Sequence, residues 1–269
     1  MSVNKIGCAI LTCNRDSYVS KLLETIDCNI FHEILVIDDS GKPERHVNFG
    51  DVKVIFNKKN LGVGKAKNIA FQHLLQHGCT DIFLIEDDVI IKDNSVFDVY
   101  INTSRKTGIQ HFNFAFHGDD NYTTDRSPAI RLKLDYSNNI SVSLYPNVYG
   151  AFSYYTRLSL ERAGLMDEFY YNAMEHVDHT NEIIKNNMHP PFRWFADITD
   201  SQKYISEIDI GHSGSEIRKE QKWVENFHKA ADYFAKKQGF DVRIPTATVA
   251  SKEEVVHALK QIKKVYGRK

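Results

Sequence analysis

The feature that most constrains this chain is a series of apolar runs that each stop at acidic residues. Ile6–Thr12, Glu33–Ile37 and Asp81–Ile85 are short, continuous and rich in β-compatible side chains. The second run ends at Asp38-Asp39-Ser40-Gly41 and the third at Glu86-Asp87-Asp88. Between the first two, Ser17–Ile26 sets Val19, Leu22, Leu23 and Ile26 at helical spacing, with Asp16 or Ser17 as the expected N-cap. Val52–Phe56 predicts a further strand, and Gly64–His77 a helix whose buried side carries Ala66, Ile69, Ala70 and Leu74 or His73. Strands without polar alternation, separated by helices, mean a parallel sheet covered on both faces. Such sheets bind ligands beyond the carboxyl ends of their strands, which is where the acidic clusters fall.

The later chain is less regular. Gln110–Phe116 and Ile140–Tyr145 read as strands around a polar loop, Gly118–Ser127. Ser153–Tyr155 leads into a helix at Leu158–Ala163, closed by Gly164. Met174–Asn187 predicts another helix, stopped by His189-Pro190-Pro191. A Gly/Ser stretch, Gly211–Ser215, precedes a charged helix through about Lys237, and Phe240–Ala250 is a linker. A final helix opens on Ser251-Lys-Glu-Glu254, a capping box.

Composition closes off several classes. With 269 residues, 42% hydrophobic and 26% charged, the chain is globular and long enough for a large core. The 34 Lys+Arg against 35 Asp+Glu give no strong nucleic-acid signal. No apolar run approaches the ~18 residues of a membrane span, and the start lacks a signal-peptide layout. Cys8, Cys13, Cys28 and Cys79 form no CxxC pair and lie outside any His-rich spacing, which speaks against cysteine-bound zinc or a disulfide framework. A reduced, cytoplasmic protein is the expectation.

Aspartate after a strand favours a turn. Two acidic clusters at one sheet edge, however, repel each other unless a cation or a hydrogen-bonding ligand is present. Hard oxygen ligands in small number suit Mg2+ or Mn2+ shared with a phosphate-bearing substrate. That chemistry is nucleotide-diphosphate chemistry.

Four segments, Thr12-Cys-Asn-Arg15, Val36-Ile-Asp-Asp-Ser40, Asn57…Asn60-Leu-Gly62…Lys67-Asn68 and Phe83-Leu-Ile-Glu-Asp-Asp88, together resemble the family 2 glycosyltransferases of GT-A fold. Gly150-Ala-Phe, Gly164-Leu-Met-Asp-Glu168 and Met174-Glu-His-Val-Asp178 resemble the family's acceptor side, so the likeness covers roughly residues 5–215. It implies an α/β GT-A domain over 1–240: a Rossmann-like, mostly parallel nucleotide-binding sheet with helices on both faces. The nucleotide-sugar half would span about 1–110 and the acceptor half about 111–240, with a linker and amphipathic helix at 241–269. It further implies inverting, metal-dependent transfer of a hexosyl or hexosaminyl group from a UDP-sugar to a glycan or glycoconjugate hydroxyl, in surface polysaccharide synthesis.

The resemblance also assigns roles. Asp38, with Asp39 beside it, reads the nucleotide base, and Thr12, Asn14 and Arg15 line base and ribose. Asn60, Gly62, Lys67 and Asn68 flank the donor. Glu86 reaches the ribose or a metal-bound water and Asp87 belongs to the same nucleotide-sugar-binding motif, while Asp88 binds Mn2+ or Mg2+ and His212 completes the metal shell. Ser213, Ser215, Arg218 and Lys219 would close over the diphosphate. The general base falls in Glu175-His176-Val177-Asp178. His176 occupies the family's base position, and an imidazole with a pKa of about 6.5 is a suitable base near neutrality. Alternatively Glu175 or Asp178 serves and His176 contacts the acceptor. Trp194, after a Pro-Pro turn, is a candidate sugar-stacking platform.

Two other classes stand beside this one. A sugar-phosphate nucleotidyltransferase shares a similar fold, but Leu11–Arg15 lacks the glycines of its triphosphate loop. An inactive carbohydrate-binding protein is disfavoured by Asp88 and the acidic helix start. Lastly, Val255, Leu259, Ile262 and Tyr266 form a narrow seam flanked by Lys260, Lys263, Lys264, Arg268 and Lys269. The seam is expected to dock on the catalytic domain or on a homodimer mate; its basic flank also allows weak contact with the inner membrane face.

Overall fold

The computed structural model describes residues 4–44, 47–137, 140–208 and 222–268. Its first six elements alternate as the sequence predicts: β1 (Ile6–Thr12), α1 (Asp16–Thr25), β2 (Glu33–Asp38), β3 (Lys53–Phe56), α2 (Val63–Gln76) and β4 (Asp81–Glu86). After β5 (Val89–Ile91) and α3 (Val96–Thr107) come β6 (His111–Asn113), β7 (Leu132–Ser137), β8 (Ile140–Tyr145) and β9 (Phe152–Thr156). Among the described residues the main sheet has the order β3-β2-β1-β4-β9-β6. The first four strands are parallel and β9 runs antiparallel between β4 and β6. The expected α/β class holds, with a mixed, mostly parallel sheet.

Register places the acidic strand ends side by side. Thr12 pairs with Asp38 on β2, and Leu11 pairs with Glu86 on β4. Because β6 runs with β1–β4, the chain leaving it arrives at the same edge. Because β9 runs against them, the chain entering it starts there. His117 and Gly150 are thereby drawn to the acidic edge, a consequence of strand direction and not of local sequence.

The rest of the chain is α4 (Arg157–Ala163), α5 (Glu175–Lys185), β10 (Phe195–Ile198), β11 (Ile205–Glu207), α6 (Trp223–Gln238) and α7 (Lys252–Tyr266). β10, β8 and β7 make a small antiparallel sheet, and β11 pairs antiparallel with β5. β7, which no apolar run announces, alternates half-buried Leu132, Leu134 and Tyr136 with exposed Lys133 and Asp135, as an edge strand does. β6 is shorter than the predicted Gln110–Phe116, because the Ala115 amide turns aside to donate to buried Asp197 Oδ2 at 2.9 Å. α1 begins at Asp16 with Arg15 in the cap position and no side-chain cap, so neither Asp16 nor Ser17 caps it.

One apolar cluster fills the sheet face toward α1, α3 and α7, including Phe83, Tyr100, Phe152, Val255, Leu259 and Ile262. A second lies toward α2, α4 and α5, including Phe71, Leu74, Tyr155 and Ile183. The Val255, Leu259 and Ile262 seam of α7 is therefore taken up inside the chain. Its capping box is complete: Ser251 Oγ accepts from Glu254 N at 3.2 Å, and the Ser251 amide donates to Glu254 Oε2 at 2.7 Å. Among the described residues no helix is long and apolar enough to cross a membrane.

Leu259→Ala should cost about 2–5 kcal/mol of stability. Val265→Ala, on the 65% exposed side of the same helix, should change it by less than about 0.5 kcal/mol. Equal urea midpoints for the two variants would contradict this packing.

Candidate active site

Lys67 belongs to the buried face of α2, among Ala66, Ala70 and Phe71, and is 1% exposed. Its ammonium is 2.9 Å from Glu86 Oε1 and 3.0 Å from Glu175 Oε1, and donates to the Gly150 carbonyl at 3.5 Å. All three ammonium donors thus have acceptors. Glu86 ends β4 and Glu175 opens α5, so one cation joins the first half of the chain to the second. Burial lowers the Lys67 pKa, but the two carboxylates outweigh it and hold it above the usual lysine range. Burial likewise raises the Glu175 pKa, and Lys67 followed by His176 overrides it, holding the carboxyl well below the ordinary range. Glu86 is lowered too, with Lys67 and then His117 opposing burial.

His176 Nδ1 lies 3.1 Å from Glu175 Oε1. An ionised carboxylate only accepts, so Nδ1 carries the hydrogen and Nε2 keeps its lone pair. The helix start that presents this pair is strained: Met174, immediately before Glu175, has a left-handed φ of 73°. Strain of this kind persists where surrounding contacts over-determine the backbone, and it clusters at functional sites. Gly150 closes the other side. A Cβ there would stand 2.8 Å from Lys67 Nζ and 3.2 Å from the His176 ring, so any side chain at this position would have to displace the ammonium from its place.

Asp178 does not join this group. Its carboxylate accepts from Lys237 Nζ at 2.7 Å and Gln238 Nε2 at 2.5 Å, both on α6. Two residues on a helix turn about 200°, which carries Asp178 away from the face of His176. Its candidacy as the base is corrected accordingly: it pins α5 to α6.

Asp87 and Asp88 meet the loop after β1. Thr12 Oγ1 donates to Asp87 Oδ2 at 2.5 Å, Arg15 Nε donates to the same oxygen at 3.1 Å, and Arg15 Nη2 touches Asp87 Oδ1. Burial pushes the Asp87 carboxyl up to about 7, against the pull of Arg15 and Thr12. Asp88 Oδ2 accepts from Arg15 Nη1 at 3.3 Å, while its buried Oδ1 has no hydrogen-bond partner among the described residues. Burial, then Glu86, raises the Asp88 pKa. A buried carboxylate oxygen without a donor is costly, and a divalent cation relieves that cost. His117, whose Nδ1 is 2.8 Å from Glu207 Oε2, feels both Asp88 and Glu86. Asp88, through its unpartnered Oδ1, offers one oxygen to a Mn2+ or Mg2+ ion that keeps open positions for phosphate oxygens, while Glu86 and His117 do not converge with it into a ligand triplet among the described residues. His212, Ser213, Ser215, Arg218 and Lys219 lie outside the described residues.

The remaining donor-side candidates separate into edge and wall. Asp38 is buried at the edge, its Oδ1 accepting from Ser40 N at 2.8 Å. Asp39 instead shapes a turn, accepting from Asn57 Nδ2 at 2.7 Å and from the Leu61 and Gly62 amides at 2.9 Å. Asn60 Oδ1 accepts from Tyr171 OH at 2.9 Å. Gly62 has φ 86°, and a Cβ on it would be 2.5 Å from the Tyr171 carbonyl. The amide of Asn68 bonds both ways to the Met166 backbone, at 2.9 Å each, so it holds the α4–α5 connection and does not face the donor edge. Asn14 is exposed and accepts from Lys42 at 2.9 Å. Trp194 is 5% exposed, donates its indole N–H to the Ala250 carbonyl at 3.0 Å and lies under Arg131. That correction removes it as a stacking platform.

Strand direction adds His117, which the motifs lacked, and β11 adds Glu207 beside it; Gly150, already in a motif, gains its contact with Lys67. The expected strand Gln110–Phe116 stops one residue before His117, so its carboxyl end was the available signal.

No protein-family model matches the chain. In sequence it is similar to an uncharacterized glycosyltransferase of Acanthamoeba polyphaga mimivirus, 24% identical over 229 residues, covering 79% of this chain and 85% of that one. In structure it is similar to the mannosyltransferase PcManGT of Pyrobaculum calidifontis, solved with GDP-Man and Mn2+, with a TM-score of 0.55 and 15% identity over 97% of this chain and 70% of that one. It is also similar to GalNAc-T7 solved with UDP, GalNAc and Mn2+, with a TM-score of 0.56 and 12% identity over 98% of this chain and 55% of that one. The fold is the GT-A fold of glycosyltransferases.

Lys67→Met leaves buried Glu175 and half-buried Glu86 without their cation and should cost about 3–5 kcal/mol at neutral pH. Glu175 has a depressed pKa in the fold, so its share of stability is present above the unfolded value of about 4.3 and is lost as pH falls below it. The gap between wild type and Lys67→Met should therefore narrow on acidification below about pH 4. Urea unfolding at several pH values measures this, and a gap that widens in acid would contradict it.

Proposed function

We propose that this chain is an inverting, metal-dependent glycosyltransferase of the family 2 type. It would take a UDP-sugar as donor and a glycan or glycoconjugate hydroxyl as acceptor, working at the cytoplasmic face in surface polysaccharide synthesis. The observation that carries this reading is the meeting, through Lys67, of the Glu86–Asp88 edge with an oriented Glu175–His176 pair. The sequence likeness to a protein named as a glycosyltransferase agrees with it.

The chemistry follows from these residues. The acceptor hydroxyl oxygen bonds to the anomeric carbon while its proton passes to His176 Nε2. The bond from that carbon to the diphosphate oxygen breaks, and its electron pair leaves with UDP. Glu175 holds the imidazole in the required tautomer and offsets the positive charge it gains, as a buried carboxylate does for histidine in a catalytic triad. Glu175 itself is a poor base, since Lys67 keeps its carboxylate weakly basic. A divalent cation at Asp88 would neutralise the charge that builds on the leaving diphosphate. Asp38 would read the nucleotide base.

The test is a donor screen by UDP release on the full chain, with mass analysis of products. Asp88→Asn should lower turnover by about 100-fold or more, and EDTA should abolish it. Activity indifferent to EDTA would sink the metal assignment. His176→Ala should lower kcat by about 100- to 10,000-fold with little change in UDP affinity. Should Glu175→Gln be the severe variant and His176→Ala nearly normal, the base is the carboxylate. Asp38→Ala should weaken UDP binding by about 10- to 100-fold in calorimetry, and unchanged affinity would refute its role.

A further inference from the structure

The opposite edge of the main sheet carries three ligand side chains with no part in this chemistry. Glu33 opens β2 and Asp38 ends it, so at about 3.3 Å per residue roughly 17 Å separates the two edges. His73 and His77 lie four residues apart at the end of α2 and share one face of it. One ligand atom from each of Glu33, His73 and His77 lies within 4.8 Å of the other two, and among the described residues this is the one triplet that does so.

The hydrogen bonding prepares both imidazoles. His77 Nδ1 is 2.8 Å from the His73 carbonyl, which only accepts, so Nδ1 carries the hydrogen and Nε2 keeps the lone pair. Metal-bound imidazoles are oriented in this way, by a bond from the other ring nitrogen to a carbonyl or carboxylate. His73 Nε2 sits 2.7 Å from Glu33 Oε1, a bond through a single proton. The two rings stack with centroids 4.1 Å apart, which holds them side by side. His77 is exposed and Glu33 half-buried, so the group is open to solvent. Cys79 is buried close by and does not belong to this group of converging ligand atoms.

We propose that Glu33, His73 and His77 form a second divalent-metal site, for Zn2+ or a similar transition ion and not for Mg2+. Two imidazoles and one carboxylate are a zinc-type ligand set, whereas Mg2+ favours oxygen ligands alone. The cation takes the place of the proton between His73 and Glu33, that proton is released to solvent, and water fills the open position. Bound there, the ion ties the end of α2 to the start of β2 and stabilises the folded chain, because it binds the folded state in preference to the unfolded one.

The experiment titrates Zn2+ into untagged, chelator-stripped full-length protein by calorimetry, with melting followed in parallel. Zn2+ should raise the melting temperature of wild type, and excess Mg2+ should not compete. His77→Ala and Glu33→Gln should each weaken this binding at least 10-fold, while Asp88→Asn retains it. His77 is exposed, so its variant tests the site even if Glu33→Gln is unstable. Wild-type Zn2+ affinity in His77→Ala, or loss of all Zn2+ binding in Asp88→Asn, would overturn the proposal.

Discussion

A single buried ammonium keeps the two halves of this molecule in register. Lys67 reaches Glu86 at the end of β4 and Glu175 at the start of α5, residues 89 positions apart in the sequence, through the same Nζ atom. Without that cation the two carboxylates would face each other in a water-poor space. Each would then regain hydration or take up a proton, and β4 and α5 would separate. With it, both stay ionised and their positions are set by one another. The Gly150 backbone packs against the same Nζ and the His176 ring, so the entry to β9 is fitted to this contact as well.

Function, on this account, is borrowed from that structural contact. Glu175 Oε1 serves Lys67 and His176 at once, so the geometry that neutralises a buried charge also fixes the imidazole tautomer. On the other side of Glu86, Arg15 and Thr12 engage Asp87, while one buried Asp88 oxygen has no donor among the described residues. The edge is thus divided: Glu86 is held by Lys67, whereas Asp88 Oδ1 is the oxygen that a cation would take on the proposed function.

The β1–β4 segment was largely legible because its information is local. Apolar runs ending in acid, spaced by helical periods, specify parallel strands and bring their ends together whatever follows. Side-chain direction was much less legible. Asp178 and His176 are two residues apart, and only the position of α6, with Lys237 and Gln238, shows that they face opposite ways. Trp194 looked available until the linker returned to accept its indole N–H at Ala250, 56 residues on. Asp39 and Asn68, read as donor contacts, turned out to hold backbone turns, because short polar side chains at buried corners satisfy amides first. His117 was invisible as a motif; it needed the knowledge that β6 runs parallel to β4.

The most direct test of the central claim is a double-mutant cycle between Glu86 and Glu175, each changed to Gln, read by urea unfolding at neutral pH. Either single change leaves Lys67 one carboxylate, whereas the pair of changes leaves a buried ammonium with none. The account predicts that the double variant loses more stability than the sum of the single losses, by about 1 kcal/mol or more. Additivity within about 0.5 kcal/mol would show that the two carboxylates do not depend on a common cation, and would contradict it.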